Sequence, residues 1–594
     1  RARASLLCVL PDAIGRFCLR CREGGIAMWR RRHQDLRRCL ASACPLLLPA
    51  GPGASAVGSA GAATSLLKAS AYHHRADASC TVALVAGLGL AAAAGTAYRL
   101  RCPGEPAPIE ADKAVAMSNW SGTHTATASR VYSPETQSEL EKLVRWADRT
   151  GQKIRPIGTG LSPNGLALES RGMLSMAQLD GVVKVDTQRQ TITVRAGTRV
   201  SVILEELQKH GLTLENFSSI TEQQIGGWTQ TSAHGTGARI PTVDEMITEL
   251  TLVTPGRGTL KLNATGPDAE LFRWARVGMG TLGVVSEVTL KCIPKFMLHE
   301  RTYCTTEADL RSNHARLLQT YRHVRYMWVP YTDTIVVVVS DVAAPGASAK
   351  AGMPEAERLK PLQGLLRELD PKCGSLEGDN FAQLREKVLV LDPLNAAHVA
   401  RVNKAEAEFW RRSEGERIGD STAILGFECG GSQWVLENCF PCGTIDKPSL
   451  ADIDYVAEIK GIIEREGIAA ASPIEQRWTS RSTSPMSPAY SPRAEDIFSW
   501  VGVIMYITDE ARAPAIKDKF RDYAMRHADL TFKYGGAFHW AKVDLDFHRG
   551  RGRMEDLRFH LRKRFDVSGF LELRKSLDPH NIFGNRLTDE ALKA

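Results

Sequence analysis

The sequence has 594 residues, 43% of them apolar, enough for more than one hydrophobic core, since domains usually hold roughly 100–200 residues. Its formal charge of +8 is concentrated at the start: residues 1–100 carry twelve Arg, one Lys and four acids, a charge of +9, which leaves −1 for everything after. A nearly neutral body argues against nucleic acid as a partner, and thirteen Cys, seven of them at or before Cys102, do not form a secreted disulfide framework.

The chain opens at Arg1, and Met28 is a plausible start codon, followed by an Arg-rich, acid-poor segment with the composition of a mitochondrial targeting leader. Residues 1–77 are therefore expected to be a largely disordered leader. Residues 78–98 form an uncharged run of 21 residues, long enough at about 1.5 Å per residue to cross a core of roughly 30 Å. The run is mostly Ala and Gly, so it is a candidate transmembrane helix of marginal hydrophobicity, and a cleaved stop signal or a small-residue packing helix fits it too. Pro-rich residues 99–118 read as a linker.

In the folded body, Ser133-Pro134-Glu135-Thr136 is expected to open a helix, with Pro134 in its first turn and Leu140, Leu143, Val144 and Ala147 on one face. IRPIGTGLSPNG predicts a short strand running into a Gly-rich turn. GVVKVDTQRQTITVRAGT alternates like a hairpin, followed by a helix ending near His210-Gly211. Mixed helices and short strands predict an α+β fold.

Three Gly-rich segments lie within 130 residues: Pro156–Gly165, Ile225–Gly237 and Gly278–Val285. Glycine lets backbone N–H groups approach an anion, so such loops can wrap a pyrophosphate. None has the spacing of a Rossmann fingerprint, and GMGTLG precedes a strand-like VVSEVTL instead of a helix. Further on, MWVPYTDTIVVVVSD reads as strand, turn and buried strand, and Ala343–Arg358 as an exposed insertion. Cys439 and Cys442 form a lone CxxC with no second ligand pair, so no metal site is expected, only two reduced thiols near a turn. Glu475 and Arg477, in PIEQRW, share a face if that segment is a strand, where a carboxylate and a guanidinium can grip a polyol or simply pair with each other.

The order of PIGTGLSPNG, NFSSITEQQIGGWTQTSAHGTG and GMGTLGVVSEVTL resembles the FAD-binding domain of the vanillyl-alcohol oxidase superfamily. PIEQRW, GGAFHWAK and SLDPHNIFGN narrow the resemblance to its aldonolactone branch and to the plant-type L-galactono-1,4-lactone dehydrogenases, from roughly Asn119 to Leu587. The resemblance implies a two-subdomain FAD-binding domain at 119–295 and an α+β cap or substrate domain at 296–594 whose C-terminal end returns to the flavin domain. It carries cofactor contacts onto Pro156, Ile157, Gly158, Thr159, Gly160, Leu161, Ser162, Gly226, Gly227, Ser232, His234, Gly235, Gly237, Val285, His539 and Lys542. Many superfamily members attach the flavin through a His where this chain has Leu161, so a noncovalent FAD is expected. Ser218 stands where Gly accompanies oxidases and Ala the plant dehydrogenases; larger than Gly, it is expected to hinder oxygen.

By the same resemblance Glu475, Arg477 and Lys542 are the catalytic residues, and Ser219, Glu475 and Arg477 bind substrate. The implied reaction takes the C2 hydrogen of L-galactono-1,4-lactone as hydride to flavin N5 while the C2 hydroxyl loses its proton. The product enolises to ascorbate, and the electrons pass to cytochrome c at the mitochondrial inner membrane, facing the intermembrane space. Alternatives are an oxygen-using oxidase of another aldonolactone or alditol, and a chain serving mainly as an assembly partner of respiratory complex I. Cys429, in GFECGG, is either a redox-sensitive thiol near the substrate or an inert one.

Overall fold

In the computed structural model the described residues are 104–426 and 431–593. The leader, the run at 78–98 and Cys429 lie outside them, and among the described residues no helix is long and apolar enough to cross a membrane.

The first helix, Gln137–Thr150, shows how local sequence sets an element. Thr136 caps it by accepting from the Glu139 backbone N–H, the Glu139 side chain reaches back to the cap, and Gly151 ends it at φ 70°. Pro134 thus lies two residues ahead of the cap, outside the first turn where it was expected, because Thr136 and Glu139 supply a complete capping box. Leu140, Leu143, Val144 and Ala147 are buried on the expected face. Around this helix runs a four-stranded sheet in which the hairpin Ala111–Ser118 and Thr125–Tyr132 is extended in parallel by Met173–Ser175 and then Arg155–Ile157.

A second, antiparallel sheet holds the predicted hairpin, Val182–Asp186 with Thr191–Arg195, and continues through Val284–Lys291, Ile247–Thr254 and Gly258–Asn263. The helix Val200–Lys209 follows the hairpin, with His210 and Gly211 at its end as expected.

The rest of the chain is built on an antiparallel sheet of eight strands. Their order is Gly415–Asp420, Met297–Thr305, Ile335–Val342, His323–Trp328, Ile474–Ser480, Asp496–Tyr506, Gln433–Thr444 and Ala537–Phe538. The helices Ala451–Glu466 and Ala513–Lys533 bury Tyr455, Ile459, Phe520 and Tyr523 against one side of it. The architecture is the expected α+β.

The insertion at 343–358 is exposed from Ala344 to Glu357, as expected, and its end opens a helix at Glu355. That helix, Glu355–Leu369, packs with Phe381–Leu389 and Ala396–Arg412 around a small core that includes Leu362, Leu384, Val388 and Val402. Cys439 and Cys442 are both free and buried at the end of the strand Gln433–Thr444, just before the turn Thr444–Lys447, and desolvation pushes both thiols well above the ordinary range.

Candidate functional site

One cavity of about 610 Å³ lies between the Gly-rich loops and the large sheet. Its upper wall is mostly backbone. Pro156 to Ser162, Gly226, Gly227 and Val285 all line it, as do Ser218 and Ser219. Gly160 sits at φ 70°, in the left-handed region. Gly226 lies in the short helix Ile225–Gln230, where a Cβ would be 2.9 Å from Ala196 Cβ, so only glycine fits against the end of the strand Thr191–Arg195.

Buried side chains brace these loops. Arg155 donates to the carbonyls of Leu166 (3.0 Å), Met279 (2.8 Å) and Phe583 (3.0 Å), so one guanidinium joins the first loop, the third loop and the C-terminal segment. Asn164 Nδ2 donates to the carbonyls of Trp540 (2.9 Å) and Val543 (2.7 Å), clamping the first loop to the HWAK turn.

The cavity floor is made of charged side chains from alternating strand positions. Glu475 and Arg477 share a face of Ile474–Ser480, with Arg477 Nε 3.4 Å from Glu475 Oε2. On the opposite face Gln476 Nε2 (3.2 Å) and Trp478 Nε1 (2.8 Å) donate to the buried Asp452 carboxylate, which fixes the strand from behind.

At the centre of the floor is Glu437, which sequence reasoning missed. One carboxylate oxygen accepts from Arg477 Nη2 at 2.8 Å, and the other from Lys542 Nζ at 2.6 Å and His234 Nε2 at 3.1 Å. Burial alone would raise the Glu437 carboxyl, but Lys542, His234 and Arg477 overturn that and hold it well below the usual carboxylate range. Burial lowers His234 and His539 instead, so both are neutral near pH 7. His234 stacks on Trp500 with ring centroids 3.8 Å apart, and the His539 backbone N–H donates to the Glu437 carbonyl at 3.0 Å. The sequence marks Glu437 only as an acid beside Asn438 in the mostly apolar run WVLENCF, which does not reveal its partners.

His234, Glu437 and His539 place three ligand atoms within 4.8 Å of one another, a spacing that a metal ion could use. Both Glu437 oxygens are already taken by Arg477 and Lys542, and two cations beside a dication would repel it.

Ser232, Gly235 and Gly237 do not line the cavity. The Ser232 hydroxyl is held by Asp244 at 2.8 Å and by Ser487 at 2.7 Å, behind the wall. These residues shape the loop from its buried side.

With this geometry in view, the comparisons with known proteins are specific. The FAD binding domain family matches residues 128–262, and the family described as D-arabinono-1,4-lactone oxidase matches residues 288–591. The mitochondrial L-galactono-1,4-lactone dehydrogenase of Brassica oleracea is 46% identical over 494 residues, covering 80% of this chain and 82% of the relative. This chain belongs to the L-galactono-1,4-lactone dehydrogenase family. It is an aldonolactone oxidoreductase, and its cofactor is FAD. Other members of the wider family are more distant: the L-gulonolactone oxidase of Bos taurus is 26% identical over 80% of this chain and 97% of its own. Among solved structures, cholesterol oxidase from B. sterolicum superposes with a TM-score of 0.65 at 18% identity, covering 82% of this chain and 98% of that one, a likeness of fold.

The cradle of this family member fits FAD. Its first two Gly-rich segments present glycine backbone to the cavity, and Gln224 Oε1, buried at the cavity wall, has no hydrogen-bond partner among the described residues. Leu161 lines the same wall and offers no nucleophile.

Proposed function

We propose that the chain oxidises L-galactono-1,4-lactone to L-ascorbate with a noncovalently held FAD, and passes the electrons to cytochrome c in preference to oxygen. The observation that carries this reading is the convergence of Glu475, Arg477 and Lys542 on one floor, opposite the Gly-rich cradle and within one cavity. The names of the 43–46% identical relatives support the substrate. Their mitochondrial designation, with the basic leader, supports a mitochondrial location, and our reading places the chain at the inner membrane, facing the intermembrane space.

Held by the loops around Gly158, Gly160, Gly226 and Gly227, FAD would supply the acceptor for the hydride that the lactone loses from C2. The chain's own residues hold the lactone and the charges around it. Arg477 donates to the carbonyl or ring oxygen, and Glu475 accepts from a hydroxyl. Lys542 supplies positive charge where negative charge develops. Glu437 keeps Arg477 and Lys542 at fixed positions, so neither has to reorganise as the reaction proceeds.

Ser218 supports the dehydrogenase half of the reading. Its hydroxyl bonds to Gln223 Oε1 at 2.6 Å and accepts from Trp228 Nε1 at 2.8 Å, so the side chain is fixed at the cavity wall and cannot swing aside for oxygen.

Acid denaturation of the purified yellow protein should release free FAD into the supernatant. Anaerobic L-galactono-1,4-lactone should bleach the holoenzyme, and cytochrome c should restore its colour. Flavin that stays with the precipitate refutes the noncovalent cofactor. Peroxide formed as fast as cytochrome c is reduced refutes the preference for cytochrome c.

A further inference from the structure

The cavity extends beyond its catalytic floor. Strand register divides the large sheet into rows facing the cavity. Glu475, Gly502 and Glu437 form one row, Ile504 and Val435 the next, and Tyr506 with Gln433 the row after that. Tyr506 lies four positions beyond Gly502, about 14 Å of strand at roughly 3.4 Å per residue. That is too far for one lactone ring to touch both rows, and the row between them is apolar.

The three-helix insert closes this outer end, contributing Phe381, Arg385, Glu406 and Trp410 to the lining. Arg385 lies 4.5 Å from the centre of the Tyr506 ring and 5.3 Å from that of Phe381, and its charge acts on the Glu406 carboxyl. Glu406 is 2% exposed. One of its oxygens accepts from Ser472 Oγ at 3.1 Å and Trp410 Nε1 at 3.3 Å, while the other is buried without a hydrogen-bond partner among the described residues. An acceptor left unsatisfied is costly unless something else bonds to it, and Arg385 brings donors to the same end of the cavity. Neither has a place in the floor chemistry described above.

We propose that this outer end is a second subsite that holds a neutral, hydroxyl-rich ring, an aldonolactone waiting to move inward to Glu475 and Arg477. The aldonolactone assignment rests on the proposed function. The chemistry selects the class. A hydroxyl can donate to the free Glu406 oxygen while another accepts from Arg385, and Tyr506 and Trp410 offer flat faces to ring C–H groups. An anion would face Glu406 and a cation would face Arg385, so a neutral polyol satisfies both.

The test uses the FAD-loaded holoenzyme and its Arg385→Met and Glu406→Gln variants in anaerobic stopped flow with L-galactono-1,4-lactone. The half-saturating concentration for flavin bleaching is expected to rise roughly tenfold in each variant, as for one lost hydrogen bond to a charged group, with the limiting rate kept within about twofold. In parallel, calorimetry with a 2-deoxy aldonolactone, which cannot be oxidised at C2, is expected to show roughly tenfold weaker binding to both variants. Unchanged half-saturation and unchanged calorimetric affinity in both variants overturn the subsite. A loss confined to the limiting rate overturns it too, by placing these residues in the reaction itself. Wild-type flavin that no lactone bleaches refutes the proposed function instead, and calorimetry then decides the subsite on its own. Arg385 is half-exposed, so its variant keeps the test valid if Glu406→Gln does not fold.

Discussion

The two walls of the cavity are built by opposite means. The cradle presents backbone to the cavity, and its precision comes from glycines and from carbonyls gathered by Arg155. The floor presents side chains, and its precision comes from Arg477, Lys542 and the neutral His234 closing around Glu437. A backbone wall is sensitive to added volume and nearly indifferent to charge; a charged floor is the reverse. The lesson is that the two halves of one active site should fail in distinguishable ways.

The largest effect should come from the floor. Lys542→Met removes the cation nearest the developing charge and is expected to slow flavin bleaching about 10²–10³-fold with FAD still bound, as read by stopped flow and by the flavin spectrum. Loss of flavin with little change in rate per bound flavin would assign Lys542 to the cradle instead. Next is Glu437→Gln, which leaves Arg477 and Lys542 without their shared carboxylate. Breaking a buried charge network costs about 3–5 kcal/mol, so denaturant unfolding should move to clearly lower midpoints, whereas an exposed pair would barely register.

Acid should sharpen the same contrast. Beneath the floor, His527 bonds to Tyr455 at 2.6 Å and is held neutral by burial, its pKa lowered from 6.5 to about 4. The unfolded chain therefore binds the proton first as pH falls below 6.5, and stability declines from there until about pH 4, by roughly 3 kcal/mol for this residue. A thermal midpoint that stays flat across that window would contradict the neutral, buried assignment.

The cradle should respond to volume. Gly226→Ala forces a methyl to within 2.9 Å of Ala196 Cβ and is expected to cost about 1–3 kcal/mol, with weakened FAD retention on gel filtration. Gly160→Ala meets nothing closer than 3.8 Å, so only its φ of 70° opposes it, at about 1–2 kcal/mol in thermal unfolding. If Gly160→Ala proved the more damaging of the pair, backbone conformation would outweigh clearance as the limit on this wall.

The cradle was the more legible half in the sequence, because glycine clusters are visible without knowing what they pack against. Pro156–Gly165 and Ile225–Gly237 could be singled out on composition and order alone, although composition could not show that Ser232 turns to Asp244 behind the wall. The pairing of Glu475 with Arg477 was readable from a two-residue repeat. Glu437 was not, since its meaning depends on partners 203, 40 and 105 positions away. The three-helix insert was hidden for a different reason: its Leu stripe is buried against helices whose own pattern is weak and against distant Ala469, Ala471 and Tyr506.

The ties made by the chain's last residues set an order of events. The Phe583 carbonyl accepts from Arg155, Asn585 Nδ2 donates to the carbonyls of Gly165, Leu166 and Leu168, and the Ile154 backbone N–H donates to the Ile582 carbonyl. The first flavin loop is thus finished by residues synthesised more than 400 positions later. A chain still on the ribosome, or still threading through a membrane pore, has the glycines and lacks the brace. The first Gly-rich loop is therefore fully braced only once residues 582–585 have reached it.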